Sequence, residues 1–172
     1  MASGTAGRLL IVDDEPQILR ALTPALAAAG FTVSSAESGE GALGQLASEP
    51  SDVVILDLGL PDMDGKEVIQ RIREWSDCPI IVLSARDLES EKIAALDLGA
   101  DDFVNKPVGV GELLARIRAV MRGRERRFSA QPRFQFGGLE INFPARRVMV
   151  DGEEVRLTPR EYQLLRILAG HA

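Results

Sequence analysis

The side chains that could do chemistry stand directly after short apolar runs of the 172-residue sequence. Asp13 and Asp14 follow the first such run, Asp57 follows the third, Ser84 ends the fourth, and Lys106 comes shortly after the fifth. Carboxylates this close repel each other, and a hard divalent cation is the usual way to hold them ionised together. Mg²⁺ fits, because it takes few protein oxygens and keeps waters and a phosphate oxygen. A shielded carboxylate could then attack a phosphoryl group while Lys106 places a positive charge on its oxygens.

These residues meet only if the apolar runs are strands of one parallel sheet. Apolar runs alternate with stretches of helical period five times. The predicted strands are 8–12, 31–35, 52–56, 79–83 and 102–105, and the predicted helices are 16–29, 40–48, 66–75, 90–98 and 111–122. Runs that are apolar at every position, such as Val53-Val54-Ile55-Leu56, are typical of strands covered by helices on both faces. The sequence therefore predicts an α/β fold, a doubly wound (βα)5 parallel sheet with its site at the carboxyl ends of the strands.

The pattern changes after residue 122. Residues 122–132 combine several arginines with Gly, Ser and Pro, which is typical of a linker. Short alternating runs follow at 134–136, 139–142, 147–150 and 155–157, and Thr158 is placed to cap a helix over 159–169. We therefore divide the chain into an α/β domain over 1–122, a linker over 123–133 and a small antiparallel β unit with one helix over 134–172.

Composition narrows the partners and the metal chemistry. The net charge of −6 is uneven, since residues 1–121 carry 20 acidic and 10 basic side chains whereas residues 122–172 carry 6 and 10. A basic segment favours a role near phosphates. With one cysteine, Cys78, and one histidine, His171, neither an internal disulfide nor the usual four-ligand His/Cys zinc site can form. No apolar run reaches the roughly 20 residues of a membrane helix and no secretory signal is visible, so we expect a cytoplasmic protein without a membrane partner.

Four motifs at these strand ends resemble the receiver domain of two-component response regulators, over residues 8 to about 122. They are Leu-Ile-Val-Asp-Asp-Glu (10–15), Ile-Leu-Asp-Leu-Gly-Leu-Pro-Asp-Met-Asp-Gly (55–65), Ile-Val-Leu-Ser-Ala-Arg (81–86) and Gly-Ala-Asp-Asp-Phe-Val-Asn-Lys-Pro (99–107). The later Phe-Gly-Gly-Leu-Glu-Ile-Asn (136–142) and Leu-Thr-Pro-Arg-Glu-Tyr-Gln-Leu-Leu (157–165) resemble the start of the winged-helix effector domain of the OmpR/PhoB subfamily.

The receiver resemblance implies a phosphorylation site with a metal beside it. Asp57 would accept the phosphoryl group. Asp13 and Asp14 would hold Mg²⁺ together with Asp57, and Gly59 would add its backbone carbonyl oxygen.

The same resemblance implies a residue set that senses the phosphoryl group. Lys106 would bind the phosphoryl group through a peptide bond to Pro107 that is cis in the family. Ser84 would hydrogen-bond the new phosphoryl oxygen, and Phe103 would turn inward as Ser84 moves. Ser84 and Phe103 stand where Thr and Tyr are commoner, and Val108 stands where Phe is usual, which bears on the strength of switching.

Function and partners follow from the resemblance. A sensor histidine kinase would supply the phosphoryl group, and the protein would form a homodimer that regulates transcription, with no enzymatic activity beyond its own phosphotransfer and dephosphorylation. In the subfamily this dimer pairs the position of Lys92 with that of Glu112, and Asp102 with Arg116, across subunits. DNA would be the partner of a full-length parent. The 172-residue chain stops just after the first effector helix, so we expect it to lack sequence-specific DNA binding.

Rival interpretations of the same motifs stay open. A Mg²⁺-dependent phosphohydrolase could use Asp57 or Asp62 as nucleophile, since residues 62–65 resemble the D-x-D-G motif of haloacid-dehalogenase phosphatases. A stand-alone module that signals through protein contacts is a third class. Sustained turnover of p-nitrophenyl phosphate would favour the enzyme.

Two local features have simpler interpretations. Residues 39–44 fit the dinucleotide pattern G-x-G-x-x-G, but they follow the second strand rather than the first, which favours a glycine-containing helix start. Cys78 precedes a proline and is predicted to be a small, partly buried hydrophobic residue without a redox role.

Overall fold

The computed structural model describes residues 6–129, 133–143 and 145–169. We call residues 6–129 the α/β unit and the remaining two ranges the tail unit. Helices and strands of the α/β unit alternate in the order β1 (Gly7–Val12), α1 (Pro16–Ala28), β2 (Phe31–Ala36), α2 (Gly39–Ser48), β3 (Val53–Leu56), α3 (Gly65–Arg73), β4 (Ile80–Ser84), α4 (Glu89–Asp97), β5 (Asp102–Asn105) and α5 (Val110–Ser129). None of the described helices is long and apolar enough to span a membrane.

The five strands form one parallel sheet in the order β2-β1-β3-β4-β5. Alternate residues of each strand point to opposite faces. Leu10 and Val12 of β1 pack with α2, α3 and α4, whereas Leu9 and Ile11 pack with α1 and α5. The predicted doubly wound sheet is confirmed, and the chain reverses beside β1 and β3, whose carboxyl ends carry the aspartates.

The tail unit is a second, antiparallel sheet with a helix packed on it. It comprises β6 (Arg133–Phe136), β7 (Leu139–Asn142), β8 (Arg147–Val150), β9 (Glu153–Val155) and α6 (Pro159–Ala169), with strands in the order β6-β7-β8-β9. Its buried residues are Ile141, Phe143, Val148 and Tyr162.

Two predicted boundaries were wrong. The last strand was expected at 155–157 but ends at Val155, because Asp151 and Gly152 form a two-residue turn with φ of 50° and 86° that pairs Val150 with Glu153. The last α/β helix was expected to stop at 122, with a linker over 123–133, but α5 continues to Ser129. Arg124 is only 8% exposed and lies 4.0 Å from Asp52 of the α/β unit, so the segment packs as helix instead of leaving the surface as a linker.

Candidate functional site

The site begins where β1 and β3 end side by side. The amide of Asp13 donates to the Ala36 carbonyl at 3.1 Å, and the amide of Asp57 donates to the Val12 carbonyl at 2.8 Å. These bonds continue the ladder one residue beyond the strands, so both aspartates are held by backbone. Carboxylate oxygens of Asp13, Asp14 and Asp57 lie within 4.8 Å of one another. The three predicted metal ligands are thus brought together, with Asp13 and Asp57 buried and Asp14 exposed.

Lys106 reaches the same cluster from the end of β5. Its amide donates to the Ser84 carbonyl at 2.9 Å, and its peptide bond to Pro107 is cis, as the resemblance implied. The Lys106 Nζ lies 2.8 Å from an Asp13 oxygen and 3.6 Å from an Asp57 oxygen. The ammonium therefore stands between the two buried carboxylates.

Glu15 also contacts Lys106, and the sequence motifs did not predict this contact. One carboxylate oxygen lies 2.8 Å from Lys106 Nζ, and the Glu15 amide donates to an Asp13 oxygen at 2.9 Å. Burial alone would lower the pKa of Lys106, but hydrogen bonds to Asp13 and Glu15, with the charge of Asp57, outweigh burial and raise it. The only sequence signal was that Glu15 is the third acidic residue of one run, whereas its partner is 91 positions away.

The surroundings of Asp57 compensate the negative charge of its carboxylate only in part. Burial raises its pKa, the nearby Lys106 lowers it, and the charge of Asp13 raises it again. The backbone amides of Gly59 and Leu58 hydrogen-bond the carboxylate and lower the pKa further. On balance the pKa is raised, so a divalent cation between the aspartates would favour the ionised form of Asp57.

The donor set fits Mg²⁺ better than a softer metal. All three side chains are oxygen donors, which hard cations prefer. An added Cβ on Gly59 would lie 3.5 Å from an Asp57 oxygen, so Gly59 brings its backbone close to the carboxylates. The metal contact of its carbonyl stays a prediction.

The predicted switch residues lie on adjacent strands. Ser84 is 1% exposed, and its hydroxyl accepts a bond from the Arg86 amide at 3.2 Å. Phe103 is 6% exposed and packs with Ala95 of α4 in the core on that side of the sheet. Phe103 therefore already points inward.

Asp62 has a structural role that bears on both rival motifs. Its carboxylate accepts bonds from the amides of Gly39 and Glu40 at 2.8 and 2.9 Å, and these bonds lower its pKa. It therefore occupies the amino end of α2, where a dinucleotide phosphate would bind. The same bonds tie Asp62 to α2 rather than to the cluster of Asp13, Asp14 and Asp57.

An ion-pair network beside the site was also missed by sequence reasoning. Lys66 lies 3.0 Å from Glu91, and Arg86 lies 3.1 Å from Asp64 and 3.3 Å from Glu91. These pairs join the starts of α3 and α4 to the loop after Ser84. Asp64 and Arg86 are 22 positions apart in the sequence, and Lys66 and Glu91 are 25 apart. No local sequence pattern therefore indicates these two pairs.

The predicted dimer residues lie along α4, β5 and α5. Within one chain, Arg116 pairs with Asp102 at 2.9 Å and with Glu112 at 2.9 Å, whereas Lys92 is exposed on α4. Pairing across subunits stays a prediction, and it requires Arg116 to exchange partners.

Cys78 is more buried than expected. The residue is 3% exposed, and its thiol donates to the Ser51 carbonyl at 3.0 Å. Burial raises the pKa of Cys78 to about 12, so the reactive thiolate is suppressed at neutral pH.

Known proteins resemble this chain in sequence and in fold. Residues 9–118 match the model of the response regulator receiver domain. The chain is 48% identical over 162 residues to the transcriptional regulatory protein KdpE of Mycobacterium tuberculosis, which covers 94% of this chain and 72% of that protein. It is 46% identical over 164 residues to the KDP operon transcriptional regulatory protein KdpE of Escherichia coli K12, covering 95% and 73%. Response regulator DrrB of Thermotoga maritima, described as an OmpR/PhoB homologue, has a TM-score of 0.60 at 31% identity, covering 96% of this chain and 73% of that one.

Proposed function

Because this chain belongs to the response regulator receiver family, we propose that it takes a phosphoryl group from a sensor histidine kinase onto Asp57 and thereby regulates transcription. The observation that carries the assignment is the position of Asp57. It directly follows the central strand β3, it is 7% exposed, and it lies beside two further carboxylates and an ammonium. By analogy with the Escherichia coli relative, a KDP-type operon is the target we propose.

The side chains divide the phosphotransfer between them. An Asp57 oxygen attacks phosphorus, the bond from phosphorus to the donor nitrogen breaks, and the histidine leaves with its electron pair and takes up a proton. Asp13, Asp14, Asp57 and the Gly59 carbonyl would hold Mg²⁺, which when bound supplies positive charge to the phosphoryl oxygens. Lys106 stays protonated and exchanges a carboxylate contact for a phosphoryl oxygen.

Acetyl phosphate with Mg²⁺ tests the assignment without a kinase. We expect intact-mass analysis to show one added phosphoryl group on the wild type and none on Asp57→Asn. Asp62→Asn is the matched control, since it changes an aspartate of the same loop, and we expect it to be phosphorylated. Phosphorylation of Asp57→Asn at the wild-type level would contradict the proposal. Sustained turnover of p-nitrophenyl phosphate that Asp62→Asn abolishes would instead support the phosphohydrolase.

We also propose that phosphorylation strengthens a homodimer through the face made by α4, β5 and α5. Phosphorylation adds about −1.5 to −2 charge, which would draw in Ser84 and reshape β5 at Phe103. Leu88, Ile93 and Leu96 are exposed on this side by 64%, 51% and 38%, which gives the face apolar area to bury.

Light scattering with the phosphoryl mimic beryllofluoride measures the dimer. We expect the mass to rise in the wild type but not in Glu112→Lys, which reverses one partner of Arg116. Glu67→Lys is the matched control, because Glu67 forms the same i,i+4 pair with Arg71 on α3. Equal dimerisation of both variants would rule out the proposed face.

For these 172 residues we propose only weak, salt-sensitive attraction to DNA. The chain spans 72% and 73% of the two KdpE proteins, and its described tail unit holds one helix. A helix-turn-helix reads bases through its second helix. Gel-shift titration with an operator and a scrambled duplex at about 50 and about 200 mM salt separates the cases. A strong operator preference that survives the higher salt would contradict this proposal.

A further inference from the structure

The carboxylate of Glu15 does not cap the helix that Glu15 begins. Glu15 is the N-cap residue of α1, and its carbonyl accepts bonds from the amides of Ile18 at 3.1 Å and Leu19 at 3.3 Å. Ser, Thr, Asp and Asn are favoured at an N-cap because their short side chains bond the first free amides. The Glu15 side chain makes no such bond. The helix therefore fixes the backbone of Glu15, and the carboxylate is available to Lys106.

This carboxylate contacts an ammonium that is much less exposed than itself. The Glu15 side chain is 53% exposed, whereas that of Lys106 is 9% exposed. An ion pair between two exposed side chains contributes little, because water competes for both partners. Here one partner is almost fully buried, and the contact of 2.8 Å fixes the end of a long, flexible side chain. Lys106 is therefore ordered before any phosphoryl group binds.

Mg²⁺ would weaken the other contacts of Lys106. Its Nζ lies 2.8 Å from Asp13 and 3.6 Å from Asp57, and both of these carboxylates belong to the candidate metal cluster. Once a divalent cation binds the cluster, it neutralises these charges and repels the ammonium. Glu15 lies outside the cluster of three, so its carboxylate keeps its full charge for Lys106.

The contact with Glu15 leaves Lys106 able to bind a second acceptor. An ammonium has three hydrogen-bond donors. While Nζ contacts Glu15, it also lies 3.6 Å from an Asp57 oxygen. Lys106 can therefore meet a phosphoryl oxygen on Asp57 without leaving Glu15.

We propose that Glu15 is a positioning residue, which holds the ammonium of Lys106 beside Asp57 when Mg²⁺ occupies the aspartate cluster. The consequence for phosphotransfer rests on the proposed function. Glu15 has two opposing effects there, because its charge repels a phosphoryl group while its contact keeps Lys106 in place to attract one. The contact outweighs the repulsion, since water screens a carboxylate that is 53% exposed, whereas the ammonium meets the phosphoryl group directly.

NMR of the lysine side chains tests the holding step without any phosphoryl group. The sequence has three lysines, Lys66, Lys92 and Lys106, so their Cε signals can be assigned by substitution. Lys92 is exposed on α4 and gives the mobile reference. With Mg²⁺ present, we expect the Cε of Lys106 to be rigid in the wild type and mobile in Glu15→Gln. Equal rigidity of Lys106 in the two proteins overturns the proposal.

Glu37→Gln is the matched control for the loss of one negative charge. Glu37 is exposed and directly follows β2, at the same edge of the sheet. Among the described residues, Lys106 pairs with Asp13, Glu15 and Asp57 rather than with Glu37. We therefore expect Lys106 to be as rigid in Glu37→Gln as in the wild type.

Calorimetry with beryllofluoride and saturating Mg²⁺ tests the consequence for phosphoryl binding. We expect Glu15→Gln to bind the mimic about threefold to tenfold more weakly, which is the cost of ordering one flexible side chain on binding. Glu37→Gln should bind it like the wild type. In a Lys106→Met background, Glu15→Gln should not weaken binding, because only the repulsion between Glu15 and the anionic mimic remains to be removed. Unchanged or tighter binding by Glu15→Gln, or equal weakening in both backgrounds, overturns the proposal.

The two measurements also separate this proposal from the proposed function. If the wild type neither binds the mimic nor becomes phosphorylated, the proposed function fails, while the mobility of Lys106 still decides whether Glu15 holds it. If the wild type is phosphorylated and Lys106 stays rigid in Glu15→Gln, the function stands and the role of Glu15 fails. Urea titration checks the fold of the variant. We expect a midpoint near that of the wild type, because the contacts that start α1 use the backbone of Glu15.

Discussion

The α/β unit and the tail unit each pack helices against a β-sheet, yet only the α/β unit buries both faces of its sheet. Strand β3 of the α/β unit is buried at all four positions, and helices cover both faces of its sheet. In the tail unit Phe136 is 76% exposed, and Leu164 and Leu168 of α6 are 60% and 61% exposed.

This difference in burial bears on where a buried, charged site can form. A buried carboxylate such as Asp57 needs a fixed backbone and a water-poor surround, which a sheet covered on both faces provides. The tail unit buries one small apolar cluster among its described residues and provides no such surround. The candidate site therefore lies in the α/β unit.

The largest expected effect separates the two cores with one matched pair of substitutions. Ile55 of β3 and Ile141 of β7 are both 1% exposed. We expect Ile55→Ala to lower the free energy of unfolding of the α/β unit by about 2–5 kcal/mol, because it leaves a cavity in a packed core. We expect Ile141→Ala to leave that transition nearly unchanged and to abolish hydrogen-exchange protection of β6 to β9. Urea titration and hydrogen exchange measure the two outcomes.

An equal shift of a single unfolding transition in both variants would contradict the separation of the two cores. It would mean that the two units unfold as one cooperative body. A second unfolding transition that appears only in Ile141→Ala would instead support that separation.

The fold was predictable because its signals are local. Strands apolar at every position, helices of clear period and Asp13 or Asp57 directly after a strand can be recognised one segment at a time. The ion pair between Arg166 of α6 and Asp77 could not be predicted, because the two residues are 89 positions apart. Neither could the length of α5, since its end depends on the burial of Arg124 against the α/β unit.

The grouping of the candidate site residues was also predictable from local signals. Asp13, Asp14, Asp57 and Lys106 each follow a strand, and sheet topology brings them together. Their roles in phosphotransfer stay predictions. Glu15 was missed because its function depends on a distant partner and not on its own segment.

A glycine beside Asp57 gives the next largest effect. An added Cβ on Gly65 would lie 2.6 Å from the backbone carbonyl of Asp57 and 2.6 Å from the Cα of Leu58. Since backbone must then move, we expect Gly65→Ala to destabilise the α/β unit by about 1–3 kcal/mol and to slow phosphorylation of Asp57. Urea titration and the acetyl phosphate assay measure both effects.

Gly44, within α2, is the matched control. An added Cβ there meets nothing within 4 Å, so Gly44→Ala should stabilise the same unit by about 0.5–1 kcal/mol through helix propensity. A loss of phosphorylation in Gly44→Ala equal to that in Gly65→Ala would show that the close approach to Asp57 is not the cause.

The smallest expected effects come from two helix caps, one in each unit. The Ser38 hydroxyl accepts from the Gly41 amide at 3.1 Å, and Thr158 and Glu161 form a reciprocal cap in which the Glu161 carboxylate accepts from the Thr158 amide at 2.8 Å. We expect Ser38→Ala to lower the free energy of unfolding of the α/β unit by about 1 kcal/mol. Thr158→Ala should leave that transition in place and increase the quenching of Trp75 fluorescence by acrylamide, because the first turn of α6 carries Arg160, whose guanidinium lies 5.1 Å from the Trp75 ring centroid.

Acidification tests the tail cap through Trp75, because the Glu161 carboxylate of that cap is a titrating group. The amino end of α2 also carries one, Asp62, but it lies in the α/β unit and contacts Gly39 and Glu40. The Thr158 amide holds the pKa of Glu161 below its ordinary value of 4.5. A lowered pKa means that the cap contributes fully above 4.5 and is lost as the pH falls through the lower folded value. We therefore expect quenching of Trp75 to rise over that range in the wild type and to stay flatter in Glu161→Gln, which keeps an oxygen acceptor without a titrating charge. If Glu161→Gln follows the wild-type curve, the acid response comes from another group, and the cap does not control the contact between α6 and Trp75.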